Sequence, residues 1–220
     1  MANLESTKNK ILRVSTTMFL EVGYSKTSPQ MIAKELKVST GNLTYYYPTK
    51  EHLLAVLTDL LCKYQWKMIK DEAEDGISLL LAICLELMTM AAACEESEVA
   101  KDFFVSTYQS PKCLEIIHNN DTARAKEVFA QYCPDWTDEQ FREAEILVAG
   151  IEHATLNAID KTVPLETRIS GALNTIMTIY NVPEEIRKMK IDKVLAMDYR
   201  SIGKRIFNEF KEYVEKENAF

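Results

Sequence analysis

Glycine and proline are scarce, six of each in 220 residues, and no stretch alternates apolar and polar residues for long enough to make a sheet strand. A loop-rich or sheet-based chain is thereby excluded. Cysteine is sparse as well: the five, at 62, 84, 94, 113 and 133, form no CxxC pair, and an odd, scattered number suits reduced core thiols in a cytosolic protein. The residues around Leu4 lack the apolar core of a secretory signal. The one apolar run, Ile77 to Cys94, carries Glu86 near its middle and has no basic flank, so it reads as a buried helix and no membrane partner is expected. There is no GxSxG, HExxH, Walker or GxGxxG pattern, and the expectation is a cytoplasmic protein with no enzymatic activity and no cofactor.

What is abundant is Leu, Glu, Lys, Ala and Met, residues that lose little on entering a helix. The fold class expected is all-α, in a chain long enough to bury a core without disulfides or metal. Ser28-Pro29, Ser110-Pro111, Val163-Pro164 and Val182-Pro183 read as helix starts, because proline at the first helical position sacrifices no hydrogen bond. Thr137 to Gln140 has the form of a capping box. These marks place about ten helices, near 4–22, 28–35, 39–46, 49–70, 76–94, 96–108, 111–131, 137–160, 164–180 and 183–216.

Charge is unevenly spread. The net is −7, but residues 1–70 hold ten Lys/Arg against five Asp/Glu, a net of +5, and the remaining 150 hold sixteen against 28, a net of −12. A basic head on an acidic body fits a nucleic-acid reader with a separate second domain. Within the head, residues 28–47 read as two short helices about a tight turn, with Ile32, Val38 and Leu43 as their small core and Ala33 permitting close approach. Ser39 would cap the second helix, leaving Thr40, Asn42, Thr44, Tyr45 and Tyr46 as a polar and aromatic face. Such a helix fits a major groove about 12 Å wide and can present hydroxyl, amide and phenol groups there.

Gly23-Tyr24, Ile32-Ala33, Val38-Ser39, Gly41, Leu43, Tyr46-Tyr47 and Pro48-Thr49-Lys50-Glu51-His52-Leu53 resemble the TetR family signature, over about residues 8–55. The resemblance implies a three-helix helix-turn-helix domain at 1–54 and a helical effector-binding and dimerisation domain at 55–220. It implies a homodimer on palindromic double-stranded operator DNA, probed by Thr27, Ser28, Gln30, Lys37, Thr40, Gly41, Asn42, Thr44, Tyr45, Tyr46 and Lys50, with Tyr47 taking a buried position. Two residues depart from the pattern. Lys37 replaces a turn glycine, at a cost on the order of 1 kcal/mol if its φ is positive, and Thr44 replaces a tyrosine.

In the acidic body, bulky and soft residues accumulate from Trp66 onward. By the resemblance, Trp66, Met88, Phe103, Phe104, Tyr108, Ile117 and His118 are candidates to line a pocket for a small apolar or aromatic effector, with Tyr108, Gln109 or His118 as polar anchors. The resemblance further implies that the helices at 137–160 and 183–216, the latter with the stripe Ile191, Leu195, Ile202, Ile206, Phe210 and Tyr213, pair across a two-fold axis as a four-helix bundle, Gly150 and Gly203 allowing close approach. A rival reading is a helical metal-carboxylate or ligand-binding protein that does not bind DNA. Glu115 and His118 have the Glu-x-x-His spacing, but the second such motif is missing, since His52 and His153 follow Thr49 and Gly150.

Overall fold

The computed structural model describes residues 7–74, 77–158 and 162–217. Among them the chain forms eleven helices: α1 (Thr7–Glu21), α2 (Pro29–Leu36), α3 (Thr40–Tyr46), α4 (Lys50–Glu74), α5 (Leu79–Glu96), α6 (Glu98–Gln109), α7 (Pro111–Phe129), α8 (Asp138–Leu156), α9 (Leu165–Ile179), α10 (Glu184–Leu195) and α11 (Tyr199–Glu217). The expected starts at residue 4 and near 76, and the end near 160, fall on residues outside those described.

Local capping chemistry sets most boundaries. Ser28, Ser39, Ser78, Ser97 and Ser110 each accept a backbone N–H three residues on, which satisfies a donor the first helical turn leaves unpaired. Thr137 and Gln140 form the full capping box. Pro164 and Pro183 stand one position before their helices and cap them with no side-chain bond. The segment 183–216, expected as one helix, is two. It breaks at Ala196–Asp198, where Asp198 accepts the amide of Ser201 and starts α11.

Helices α1, α2 and α3 close over Ile11, Phe19, Leu20, Ile32 and Leu43, all buried, and Ala33 and Tyr47 are buried with them. Helix α4 runs without a break through the expected boundary at residue 54, and its Leu53, Leu54 and Leu57 are buried. In the rest of the chain α5 is the central helix, flanked by α4, α6, α8, α9, α10 and α11. It is apolar all round, as a helix enclosed on every side must be, and among the described residues no helix is long and apolar enough to cross a membrane.

The stripe from Ile191 to Tyr213 packs against this subunit's own core, Phe210 buried and Ile191, Leu195, Ile202, Ile206 and Tyr213 half-buried. Val194, Phe210 and Val214 are buried, and α11 lies so close to α5 that a Cβ on Gly203 would stand 2.7 Å from the Thr89 carbonyl oxygen. The close approach expected of Gly203 across a two-fold axis is therefore made to α5, within one chain. The face left open is elsewhere: Ile146 and Leu147 of α8 are 54% and 55% exposed. Beside them Gly150, and Gly171 on α9, have nothing within 4 Å of a built Cβ.

Candidate nucleic-acid interface and effector cavity

The turn between α2 and α3 is made by Lys37, whose φ of 55° and ψ of 39° are left-handed. The cost foreseen for a non-glycine residue is thus incurred, and the amide of Lys37 is bonded to the carbonyls of Ala33 and Lys34. Its ammonium-bearing side chain points outward, as do Gln30, Thr40, Asn42, Thr44 and Tyr45, together with Gly41. Tyr45 is 81% exposed and meets the half-buried Tyr46 edge to face at 5.1 Å. An exposed tyrosine on the outer side of a short helix contributes nothing to its own core, while a phenol edge and hydroxyl can both serve at a groove or phosphate. Thr44 donates its hydroxyl to the Gly41 carbonyl at 3.2 Å, and Ser28 is committed to capping Met31.

Two residues of the expected set are held inward. Thr27 is buried, its hydroxyl donating to the Gly23 carbonyl at 2.7 Å. Lys50 donates from Nζ to the carbonyls of Tyr24 and Thr27 at 2.8 and 3.1 Å, with Nζ 3.9 Å from the centroid of the Tyr24 ring. Burial lowers the Lys50 pKa, against an opposing effect of Asp102, and pushes Tyr24 up to about 12. Lys50 thus ties the start of α4 to the loop before α2.

The same loop is held from the body. Asp102 of α6 accepts the amide of Ser25 at 2.8 Å, and Gly23, with φ +106°, leaves room for that carboxylate: an added Cβ would stand 2.8 Å from it. Ser110, at the junction of α6 and α7, donates its hydroxyl to Glu51 of α4 at 2.6 Å. The first tie holds the loop between α1 and α2 to α6, and the second holds the start of α4 to the junction of α6 and α7.

A cavity of about 60 Å³ lies among α4 to α9. Of the seven residues expected to line it, Tyr108 and Ile117 do. Met88, Phe103 and Phe104 are buried but stand off its wall, Phe103 against Phe210 and Phe104 against Phe207. Trp66 lies behind the wall, 5.5 Å beneath the Arg124 guanidinium. His118 is half-buried beyond the wall, its pKa lowered by burial and by Arg142, and Gln109 is exposed.

The wall is mostly aliphatic, but it has a polar corner that the sequence reading did not assemble. Arg124 of α7 pairs with Glu86 of α5 and, at 3.1 Å, with Asp121. Tyr180 donates to Glu145, and Tyr108 to Glu152 at 2.8 Å. Desolvation is the largest cause of raised carboxyl pKa values throughout: Glu145 is pushed up to about 8, Glu152 well above the usual carboxylate range, and Glu86 and Asp121 upward against the pull of Arg124. The signal available in the sequence was Glu86 inside an apolar run; the other members come from different helices. Among the described residues no three His, Cys, Asp or Glu side chains are grouped as metal ligands would be, and Glu115 is exposed, away from the cavity.

The outward two-helix unit α2–α3 has helix-turn-helix form and is carried on a helical body that holds the cavity. Residues 11–57 match the model of the bacterial regulatory proteins of the tetR family. Over 44 residues the chain is 46% identical to the HTH-type transcriptional regulator YuxN of Bacillus subtilis (strain 168), a match spanning 20% of this chain and 15% of that protein. The crystal structure of Thermus thermophilus FadR, a TetR-family transcriptional repressor in complex with lauroyl-CoA, superposes with a TM-score of 0.58 at 19% identity, covering 80% of this chain and 96% of that one. That likeness carries the fold, and the N-terminal match is a resemblance to the tetR family over residues 11–57, about a fifth of the chain.

Proposed function

We propose that the protein is a cytosolic, non-enzymatic transcriptional regulator that binds palindromic operator DNA as a homodimer and is released by a small effector held among α4 to α9. The observation that carries the reading is the outward face of α3. Thr40, Asn42, Thr44 and Tyr45 stand exposed on a capped seven-residue helix whose opposite side is fixed in the core by Leu43. Polar groups turned outward from a helix too short to stand alone support a reading role in a major groove.

The basic head supports a phosphate-contacting role, in which Ser28, Gln30, Lys37, Gly41 and Tyr46 flank the reading face. The open strip of Ile146, Leu147 and Gly150 on α8, with Gly171 on α9, supports dimerisation through those two helices, because paired helices that bury such a strip make a four-helix bundle. Repression is the simplest outcome for a protein that occupies an operator and leaves it on binding an effector.

Gel-shift titration of duplexes from the DNA flanking the protein's own gene tests the reading. The full chain should shift at least one duplex, and the double variant Asn42→Ala, Tyr45→Ala should keep its fold by circular dichroism while losing the shift. A double variant that binds as well as the parent would remove α3 from the interface.

A further inference from the structure

Four acidic side chains and one basic one meet in the polar corner of the cavity, and their pairing is lopsided. Arg124 is matched by Glu86 and Asp121. Among the described residues the hydrogen-bond partners of Glu145 and Glu152 are the phenols of Tyr180 and Tyr108, each using one oxygen of its glutamate. Burying two carboxyls without a cation is costly in an apolar surround, and replacing them with apolar or amide groups would be the cheaper way to fill space. The corner is also not closed on itself: Arg124, 8% exposed, leaves its buried Nε–H without an acceptor. An incomplete, acid-rich corner at one end of an aliphatic cavity is the form of a site awaiting a charged head on an apolar body.

We infer that the cavity binds an organic cation, an amine or related monocation on an apolar or aromatic body, whose charged head sits between Glu145 and Glu152 while its body lies against Leu61, Leu87, Ile117 and Met177. This deepens the effector reading above and rests on it only for the regulatory consequence. An anionic head is the poorer fit, because Arg124 already faces two carboxyls and an anion would add a fifth acidic group around one guanidinium. An acceptor elsewhere on the cation's body would satisfy the Arg124 Nε–H.

The charge state of the corner follows from the groups facing Glu145 and Glu152 from each neighbouring helix: Cys62 of α4, Glu86 of α5, Tyr108 of α6, Asp121 and Arg124 of α7, and Tyr180 after α9. Burial and the neighbouring acids hold the pair protonated at low pH. A bound cation lowers their pKa, so binding releases a proton and its affinity rises with pH.

Calorimetry on the full chain without DNA tests this with three probes of equal body: 4-phenylbutylammonium, 4-phenylbutyrate and 4-phenylbutanol. The cation is expected to bind at least about tenfold more tightly than the other two, in keeping with the tenfold equivalent to 1.4 kcal/mol. Its affinity should rise up to about tenfold per pH unit between pH 6 and 8, and its binding heat should vary with buffer ionisation enthalpy as one proton is released. Glu145→Gln and, independently, Glu152→Gln should weaken cation binding about tenfold or more while melting no lower than the parent at pH 8. A carboxyl with a purely structural role would lower the melting temperature instead. Tighter binding of the carboxylate, pH-independent binding, or no binding of any probe would overturn the inference. A cation that binds without changing DNA affinity would defeat the regulator reading and leave this inference standing; intact DNA binding with no cation binding does the reverse.

Discussion

Lys37 holds a left-handed backbone at a turn where glycine would be unstrained. Lys37→Gly is expected to leave the protein as stable or stabilise it by up to about 1 kcal/mol in urea unfolding, whereas a β-branched Lys37→Val should cost more than about 1 kcal/mol. The same removal of charge should reduce the salt slope of DNA binding by about one phosphate contact; an unchanged slope would show that Lys37 is a turn residue only. Gly203 is the opposite case, a glycine whose absent side chain is used. Gly203→Ala places a Cβ against the Thr89 backbone, which cannot rotate away, and should destabilise by about 1–3 kcal/mol in the same assay. These local demands were partly legible in sequence. The caps at Ser28, Ser39 and Thr137 depend on residues three apart and could be read directly, as could the displaced turn glycine. The use of Gly203 could not, since Thr89 lies on another helix.

At the scale of helices, local signals again outran the non-local ones. The helix-turn-helix unit was legible because its spacing is fixed within about twenty residues. The division of 183–216 was not, since neither glycine nor proline marks Ala196–Asp198, and the apolar positions continue on both sides. That stripe was read as an intersubunit surface because a sequence shows that a face is apolar without showing what covers it. Its cover is α5, while α8, the other helix expected at that surface, keeps an open strip at Ile146 and Leu147. Leu147→Glu is accordingly expected to yield a folded monomer in sedimentation velocity, whereas Ile206→Glu should unfold the chain, since Ile206 lies against the α4 tyrosine Tyr64 and the rest of the core. A dimeric Leu147→Glu would place the interface elsewhere. The bond from Asp102 to the Ser25 amide makes α6 a second tie to the DNA-binding domain beside α4. Asp102→Ala should leave effector affinity for the free protein unchanged and reduce the reciprocal effect of effector on DNA, by up to the few-fold expected from about 1 kcal/mol.

For the molecule as a whole, the acidic corner links stability to pH. Glu145 ionises near 4.5 when unfolded and is pushed up to about 8 when folded, first by burial and then by Asp121. A carboxyl raised on folding favours the native state fully below the lower value, and that contribution is lost as pH climbs from about 4.5 through 8. The melting temperature should therefore fall from pH 6 to pH 8, and Glu145→Gln should flatten the fall. An equal slope in the variant would assign the effect to the overall negative charge. The −12 of residues 71–220 repels a polyanion and the +5 of residues 1–70 attracts one. The most direct test of the account is selection of the full chain against a randomised duplex library, followed by anisotropy titration of the enriched duplex at two salt concentrations. The account predicts an inverted repeat whose half-sites are centred about 34–36 Å apart, and an affinity that drops by about 10³ to 10⁵ between 50 and 200 mM salt. Enrichment of no sequence, or binding indifferent to salt, would contradict it.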